Sequence, residues 1–272
     1  MAGQLEGRVA FVTGAARGQG RSHAIRLAQE GADIIAIDLA AQIDTVPYPM
    51  ATEADLAETA KQVEALDRRI VTRVADVRDV EALRSAFDAG VAELGVPTIV
   101  SANAGIAPLS MHPQAQEWQD VIDVNLTGVY HTVEVSKQAM IDKGEGGAYV
   151  LTSSTAGLAG IGGNTPGGLG YTAAKHGVVG LMRSYANSLA QHSIRVNTIH
   201  PTGVNTPMVV NEAMQEFLQS DPTLSQAMSN ALPVPMIEPV DLSNAIVFLV
   251  SDAGRYITGV TLPVDAGYLN KR

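Results

Sequence analysis

The chain has 272 residues, 46% of them hydrophobic and only 4% aromatic, which suits one large domain with a core of Ala, Val, Ile and Leu. The absence of cysteine excludes disulfides, thiolate metal sites and thiol nucleophiles. A formal net charge of −10 argues against nucleic acid or an anionic membrane as partner, because like charges repel. The opening MAGQLEGRVAFVTG lacks a basic stretch followed by an apolar run and a cleavage site, and runs such as AIVFLV are too short for a bilayer. A cytoplasmic protein is expected.

Residues 8–13, RVAFVT, read as a first strand, and TGAARGQG (13–20) follows it directly and opens a helix. Gly14 permits a tight turn there, while Gly18 and Gly20 would let the backbone approach a pyrophosphate at the helix N-terminus; Arg17 and Gln19 complete the loop. The second strand, DIIAID (33–38), ends in Asp38 with Leu39 beside it, eighteen residues beyond Gly20. An acid at this place accepts bonds from an adenosine ribose and repels a 2′-phosphate, which favours NAD over NADP although Arg17 offers a cation. Residues 40–50, AAQIDTVPYPM, then lengthen the connection and carry two prolines. This insertion leaves the strand end beside the expected adenosine site, and is expected to fold over the adenine and slow cofactor release.

The third strand, IVTRVADV (70–77), places Asp76 and Val77 at the adenine rim, between helical stretches at 51–69 and 80–95. PTIVSAN (97–103) delivers Asn103, Ala104 and Gly105, small enough to leave room for a ribose. VIDVNLTGVY sets Asn125 within a helix, where its side chain competes for backbone bonds. GAYVLTS (147–153) ends beside Ser154, and YTAAK (171–175) puts Tyr171 and Lys175 on one helix face. IRVNTI (194–199) leads into Pro201, Thr202, Gly203, Val204, Thr206 and Met208, near the expected nicotinamide end, and VTLPVD (260–265) is the last strand. The long excursion 201–239 reads as a substrate lid.

Continuous Val/Ile runs indicate strands buried on both faces, and their alternation with helices predicts one doubly wound α/β domain over residues 1–272. Its sheet should be parallel and seven-stranded, with helices on both sides and ligands at the carboxyl ends of the strands. The six histidines form no metal-ligating group, and no GxSxG surrounds a serine, so neither a metal site nor a hydrolase elbow is expected.

Together and in order, TGAARGQG, NAG, DVNLTG, SSTAG, YTAAK and VDAGY resemble the short-chain dehydrogenase/reductase family over essentially the whole chain. The resemblance implies a Rossmann-type domain, a homotetramer, and a catalytic set of Asn125, Ser154, Tyr171 and Lys175. The insertion after Asp38, GQGRSHA and IHPTGVNTPM are similar to a carveol-dehydrogenase-like branch. That branch is associated with the redox carrier mycofactocin and with NAD that does not readily exchange. Departures are the seventeen residues from Ser154 to Tyr171, Pro-Thr-Gly where Pro-Gly is common, and VDAG near the C-terminus. The first leaves Ser153 and Ser154 as competing serines; Ser154 is preferred because the family's serine precedes x-x-Gly.

A free tyrosine titrates near ~10, so Tyr171 becomes a base only if its phenolate is favoured by the Lys175 ammonium and a positive nicotinamide ring. Ser154 would hold the substrate oxygen and Lys175 the nicotinamide ribose, and the family resemblance implies that Asn125 holds a water that leads protons out. From Val196 to Gly254 there is no Lys or Arg, but there are Met208, Met214, Met228 and Met236, which favours a neutral lipophilic alcohol or ketone. The rivals are an acyl-thioester ketoreductase and a catalytically silent dinucleotide sensor, which would typically have lost the tyrosine or the lysine.

Overall fold

A computed structural model describes residues 3–220 and 229–271, so Met228 and the middle of the expected lid lie outside the described residues. Seven strands, β1 (Val9–Thr13), β2 (Asp33–Asp38), β3 (Ile70–Val74), β4 (Ile99–Ala102), β5 (Gly147–Thr152), β6 (Ile194–Pro201) and β7 (Thr261–Val264), form one sheet in the order β3-β2-β1-β4-β5-β6-β7. Every pairing is parallel; Phe11 stands between Ile35 of β2 and Val100 of β4. The order reverses between β1 and β4, so the crevice for a ligand opens at their carboxyl ends.

The main helices are α1 (Gly18–Gln29), α2 (Glu53–Glu64), α3 (Val80–Leu94), α4 (Gln116–Ile122), α5 (Gly128–Lys143), α6 (Pro166–Leu189), α7 (Glu212–Ser220) and α8 (Pro239–Val250). Alternating strand residues divide the core. Phe11, Ile35, Val100 and Tyr149 pack with Phe87 of α3, Val133 of α5 and Val178 of α6. Ala10, Val12, Ile34 and Val150 pack with Leu27 of α1, Leu56 of α2 and Ile246 of α8. This is the doubly wound arrangement the sequence pattern predicts. No helix among the described residues is long and apolar enough to cross a membrane.

Burial on both faces holds for the inner strands and fails at the edges. Val74 of β3 is 52% exposed, and none of the residues of β7 is fully buried. An edge strand has one neighbour only, and β7 accordingly tolerates Pro263, which has no N–H to offer a further strand.

Local chemistry fixes the helix ends. Thr52 Oγ1 accepts from the Asp55 N–H at 3.2 Å while Asp55 Oδ2 accepts from the Thr52 N–H at 2.9 Å, a reciprocal cap on α2. Thr165 Oγ1 accepts from Gly168 N at 3.1 Å at the start of α6, with Pro166 in its first turn. Between α4 and α5 the chain widens into a π turn at Asp123–Thr127, a feature that concentrates at functional sites.

Phe11 is fully buried with its ring 5.2 Å from that of Phe87. Phe11→Ala should lower unfolding stability by about 3–5 kcal/mol, read as a shifted denaturant midpoint at unchanged slope.

Candidate active site

The carboxyl ends of the strands line one crevice that reaches from the β2 and β3 ends to α6 and the end of β6. Its walls include Gly14, Arg17, Gly18, Gln19, Asp38 and Leu39 from the β1 and β2 ends, and Asp76, Val77, Asn103, Ala104 and Gly105 from the β3 and β4 ends. Tyr171, Lys175, Pro201, Thr206 and Met208 close its far end.

Gly14 has φ +69°, and a Cβ there would fall 2.8 Å from the Ala104 Cα, so this turn accepts only glycine. Gly20 has a different task from the one expected. It lies off the crevice wall; a Cβ would sit 1.9 Å from the Gly14 carbonyl oxygen, so its bareness lets α1 pack against the turn. Asp38 accepts from Ala16 N at 2.9 Å and from Ala40 N at 3.1 Å, which fixes its carboxylate at the crevice. The Arg17 guanidinium, also on the crevice wall, donates to the Pro49 carbonyl at 2.5 Å. An acid facing the crevice with its neighbouring cation engaged by a backbone carbonyl fits an unphosphorylated adenosine ribose. Asp76 is held by Arg78 through Nη2 at 2.7 Å.

At the other end, β5 and α6 interlock. Lys175 Nζ donates to the Thr152 carbonyl at 2.8 Å, and Ser153 Oγ donates to the Lys175 carbonyl at 2.8 Å. Ser153 is therefore occupied, although it touches the crevice. Ser154 Oγ accepts from Ala156 N at 3.1 Å and lies on the Tyr171 side, where its hydroxyl favours the phenolate. Lys175 Nζ lies 5.5 Å from the Tyr171 ring centre. Of the two serines that spacing left open, Ser153 lines the crevice with its hydroxyl bonded to the Lys175 carbonyl, while Ser154 lies off the lining.

The protonation states differ from the expectation of a lowered phenol. Burial pushes the Tyr171 phenol above its ordinary value, and the Ser154 hydroxyl draws it only partly back. The same burial lowers the Lys175 ammonium to about 8. In the protein alone the pair rests as phenol and ammonium at neutral pH.

Asn125 is fully buried in the π turn, and its side chain is spent on one residue: Oδ1 accepts from Ile106 N and Nδ2 donates to Ile106 O, each at 2.8 Å. A Cβ on Gly105 would be 3.2 Å from Asn125 Oδ1 and 3.7 Å from Lys175 Nζ, so Gly105 separates these two groups. Thr202, Gly203 and Val204 do not line the crevice. Thr202 Oγ1 donates to Asn230 Oδ1 at 2.7 Å, Gly203 O accepts from Ile237 N at 3.0 Å, and Val204 is buried; all three anchor the return leg of the lid.

Sequence reasoning did not assign Ile43, Tyr48, Met50 and Ala51, which also line the crevice. They belong to or adjoin the 40–50 insertion, whose interior Gln42 ties together by donating to the carbonyls of Ile43, Val46 and Tyr48. Tyr48 Oη accepts from Ala107 N at 3.2 Å, and Thr45 Oγ1 donates to Asp120 at 2.6 Å. The segment crosses from the β2 end to the β4 side. The signal that located it was length and proline content; its contacts depend on residues distant in sequence.

The family model described as enoyl-(acyl carrier protein) reductase matches residues 14–269. The (−)-trans-carveol dehydrogenase of Rhodococcus erythropolis is 50% identical over 275 residues, covering 97% of this chain and 98% of its own. A crystal structure of carveol dehydrogenase from Mycobacterium avium in complex with NAD superposes with a TM-score of 0.91 at 51% identity, over 99% of this chain and 100% of that one. A short-chain dehydrogenase from Mycobacterium paratuberculosis bound to NAD gives a TM-score of 0.92 at 45% identity, again over 99% and 100% of the two chains. The glycine turn, the acid ending β2 and the interlocked Ser-Tyr-Lys cluster thus stand on a framework shared from end to end, and the chain belongs to the short-chain dehydrogenase/reductase family.

Proposed function

We propose that the protein is an NAD-dependent enzyme that interconverts a secondary alcohol and a ketone, acting on a neutral hydrophobic substrate of the cyclic terpenoid class, such as carveol. The observation that carries this reading is the Tyr171 phenol with Lys175 Nζ 5.5 Å from its ring centre, both lining one end of a crevice that presents Asp38 at the other. Gly14, Gly18, Gln19, Asp38 and Asn103 would hold the dinucleotide, and Lys175 its nicotinamide ribose. When bound, NAD supplies the acceptor for the hydride from the carbinol carbon.

The chain supplies the rest. Ser154 has its oxygen held by Ala156 N–H, leaving its O–H to be donated to the substrate oxygen and to stabilise charge there. Tyr171 takes the hydroxyl proton in oxidation and returns it in reduction. The Lys175 ammonium, 5.5 Å from the Tyr171 ring centre, favours the phenolate and so opposes burial. Asn125 holds the Ile106 backbone and so shapes the crevice floor near Lys175. The apolar substrate class rests on Met208 at the crevice, on Met214 and Met236 in the lid, and on the absence of any Lys or Arg from 196 to 254.

A screen of lipophilic alcohols against acyl-carrier thioesters tests the substrate class, and preference for thioesters would reverse it. Tyr171→Phe should abolish turnover and keep NAD binding; retained turnover would place the base elsewhere. Because the phenol rests high, oxidation should accelerate as pH rises into the alkaline range, and reduction should slow. Lys175→Met should move that limb to higher pH, and an unmoved limb would remove the ammonium from the mechanism.

The insertion carries a further part of the proposal: braced by Gln42 and pinned at Thr45, Tyr48 and Arg17, it slows cofactor release. Retained NAD would be reoxidised in place by an external redox carrier such as mycofactocin. Protein purified without added cofactor should release stoichiometric NAD on denaturation and reduce a dye acceptor with alcohol alone; an empty site with rapid exchange would end this account.

Exposed apolar side chains include Phe248, Tyr256 and Val260 on or beside α8 and β7, and Trp118 and Tyr130 on α4 and α5. Apolar exposure at both places on one chain suits a homotetramer with dihedral symmetry. Light scattering should return the mass of four chains, and a monomer would refute the assembly.

A further inference from the structure

His200, in the last turnless stretch of β6, is fully buried, and both ring nitrogens are engaged. Nδ1 lies 2.7 Å from the Ser154 carbonyl oxygen and Nε2 lies 2.8 Å from Thr198 Oγ1. A carbonyl can only accept, so the proton is on Nδ1, and Nε2 must accept from the threonine hydroxyl. Burial holds the ring's pKa below its ordinary value, so a neutral imidazole with one defined tautomer results.

The position of this ring matters more than its charge. The backbone register of β5 and β6 ends at Thr152 opposite Ile199, with one further bond from Ser153 N to Ile199 O at 2.9 Å. Beyond that point the strands part. β5 continues into the Ser154 turn, and β6 into Pro201 and the crevice wall. The imidazole bridges the parted ends. The Ser154 carbonyl also accepts from Gly157 N at 2.9 Å, so its two acceptor sites are filled and its peptide plane is fixed.

We propose that His200 is a positioning residue, whose Nδ1–H holds the Ser154 carbonyl and thereby sets the serine hydroxyl against the crevice wall formed at the end of β6. The inference rests on the reading of Ser154 as the group that holds the substrate oxygen. A displacement of about 1 Å in such a group can cost on the order of 10²-fold in rate.

The test compares His200→Leu, His200→Asn and Ser154→Ala in the full-length protein with NAD, and with carveol as the probe. Asparagine places an amide N–H close to where Nδ1–H stood. His200→Leu should lower kcat by roughly 10- to 100-fold, with NAD affinity unchanged and a larger primary deuterium isotope effect as hydride transfer becomes limiting. His200→Asn should recover most of that loss. His200→Leu within twofold of the parent, or His200→Asn no better than His200→Leu, would overturn the proposal. Full activity in Ser154→Ala would instead overturn the reading of the serine. A second measurement needs no destabilising variant: nitrogen NMR of histidine-labelled protein should show His200 neutral with its proton on Nδ1 at pH 7, and a proton on Nε2 would sink the assignment.

Discussion

Helix α6 is locked to the end of β5 by two hydrogen bonds that run in opposite senses, from Lys175 Nζ to Thr152 O and from Ser153 Oγ to Lys175 O. The arrangement around Tyr171 follows from that lock. It commits Ser153, leaves Ser154 to face Tyr171 one helical turn before Lys175, and fixes how far the ammonium stands from the phenol. Gly157 is a condition of it, since a Cβ there would lie 2.6 Å from the same Lys175 carbonyl and 2.2 Å from Ser153 Oγ. The interlock is thus a packing constraint as much as a polar one. It is also a buried one, and a buried pair of reciprocal bonds is costly to break from either side.

The crevice depends on the same economy of small residues at close approaches. The parallel register delivers Thr13, Asp38, Ala102, Thr152 and Pro201 to one edge of the sheet, and the chain crosses there with almost no side-chain bulk at Gly14, Ala104 and Gly105. The 40–50 insertion adds larger residues of its own, bringing Ile43, Tyr48 and Met50 against the crevice. Tyr48 illustrates how firmly that cover is built. Its hydroxyl sits on Ala107 N, and burial pushes its phenol up to about 12, so it stays neutral and hydrogen-bonded through the working pH range.

Much of this was legible in the sequence because it depends on local pattern. Seven apolar runs between amphipathic stretches define the sheet, and the turn after β1, the acid ending β2 and the Tyr-x-x-x-Lys pair can each be placed by their flanks. What depends on partners distant in the chain was not legible. The edge exposure of Val74 follows from strand order, which no single run reveals. The choice between Ser153 and Ser154 depends on where the Lys175 carbonyl falls. Gly20 and Gly18 look alike in sequence, yet one meets the backbone of the turn and the other opens to the crevice. Thr202–Val204 look like a loop at a strand end and in fact hold the lid's return leg through Asn230 and Ile237. His200 was one histidine of six until its two neighbours fixed its tautomer.

Burial acts on Tyr171 and Lys175 in opposite chemical senses and to a single effect. It raises an acid that would become an anion and lowers a base that is a cation, so each is pushed toward neutrality. With the ammonium brought down to about 8 while the phenol stays above its ordinary value, both residues lose stability in their charged forms, and their titrations belong to the pair rather than to either one. In the proposed function the resting state, ammonium beside phenol, is the one that would donate a proton to a carbonyl oxygen. Oxidation would need the other state and would first have to move a proton out of a buried site. On that proposal a single constellation serves both directions, and the proton supply biases them without a rearrangement of the fold.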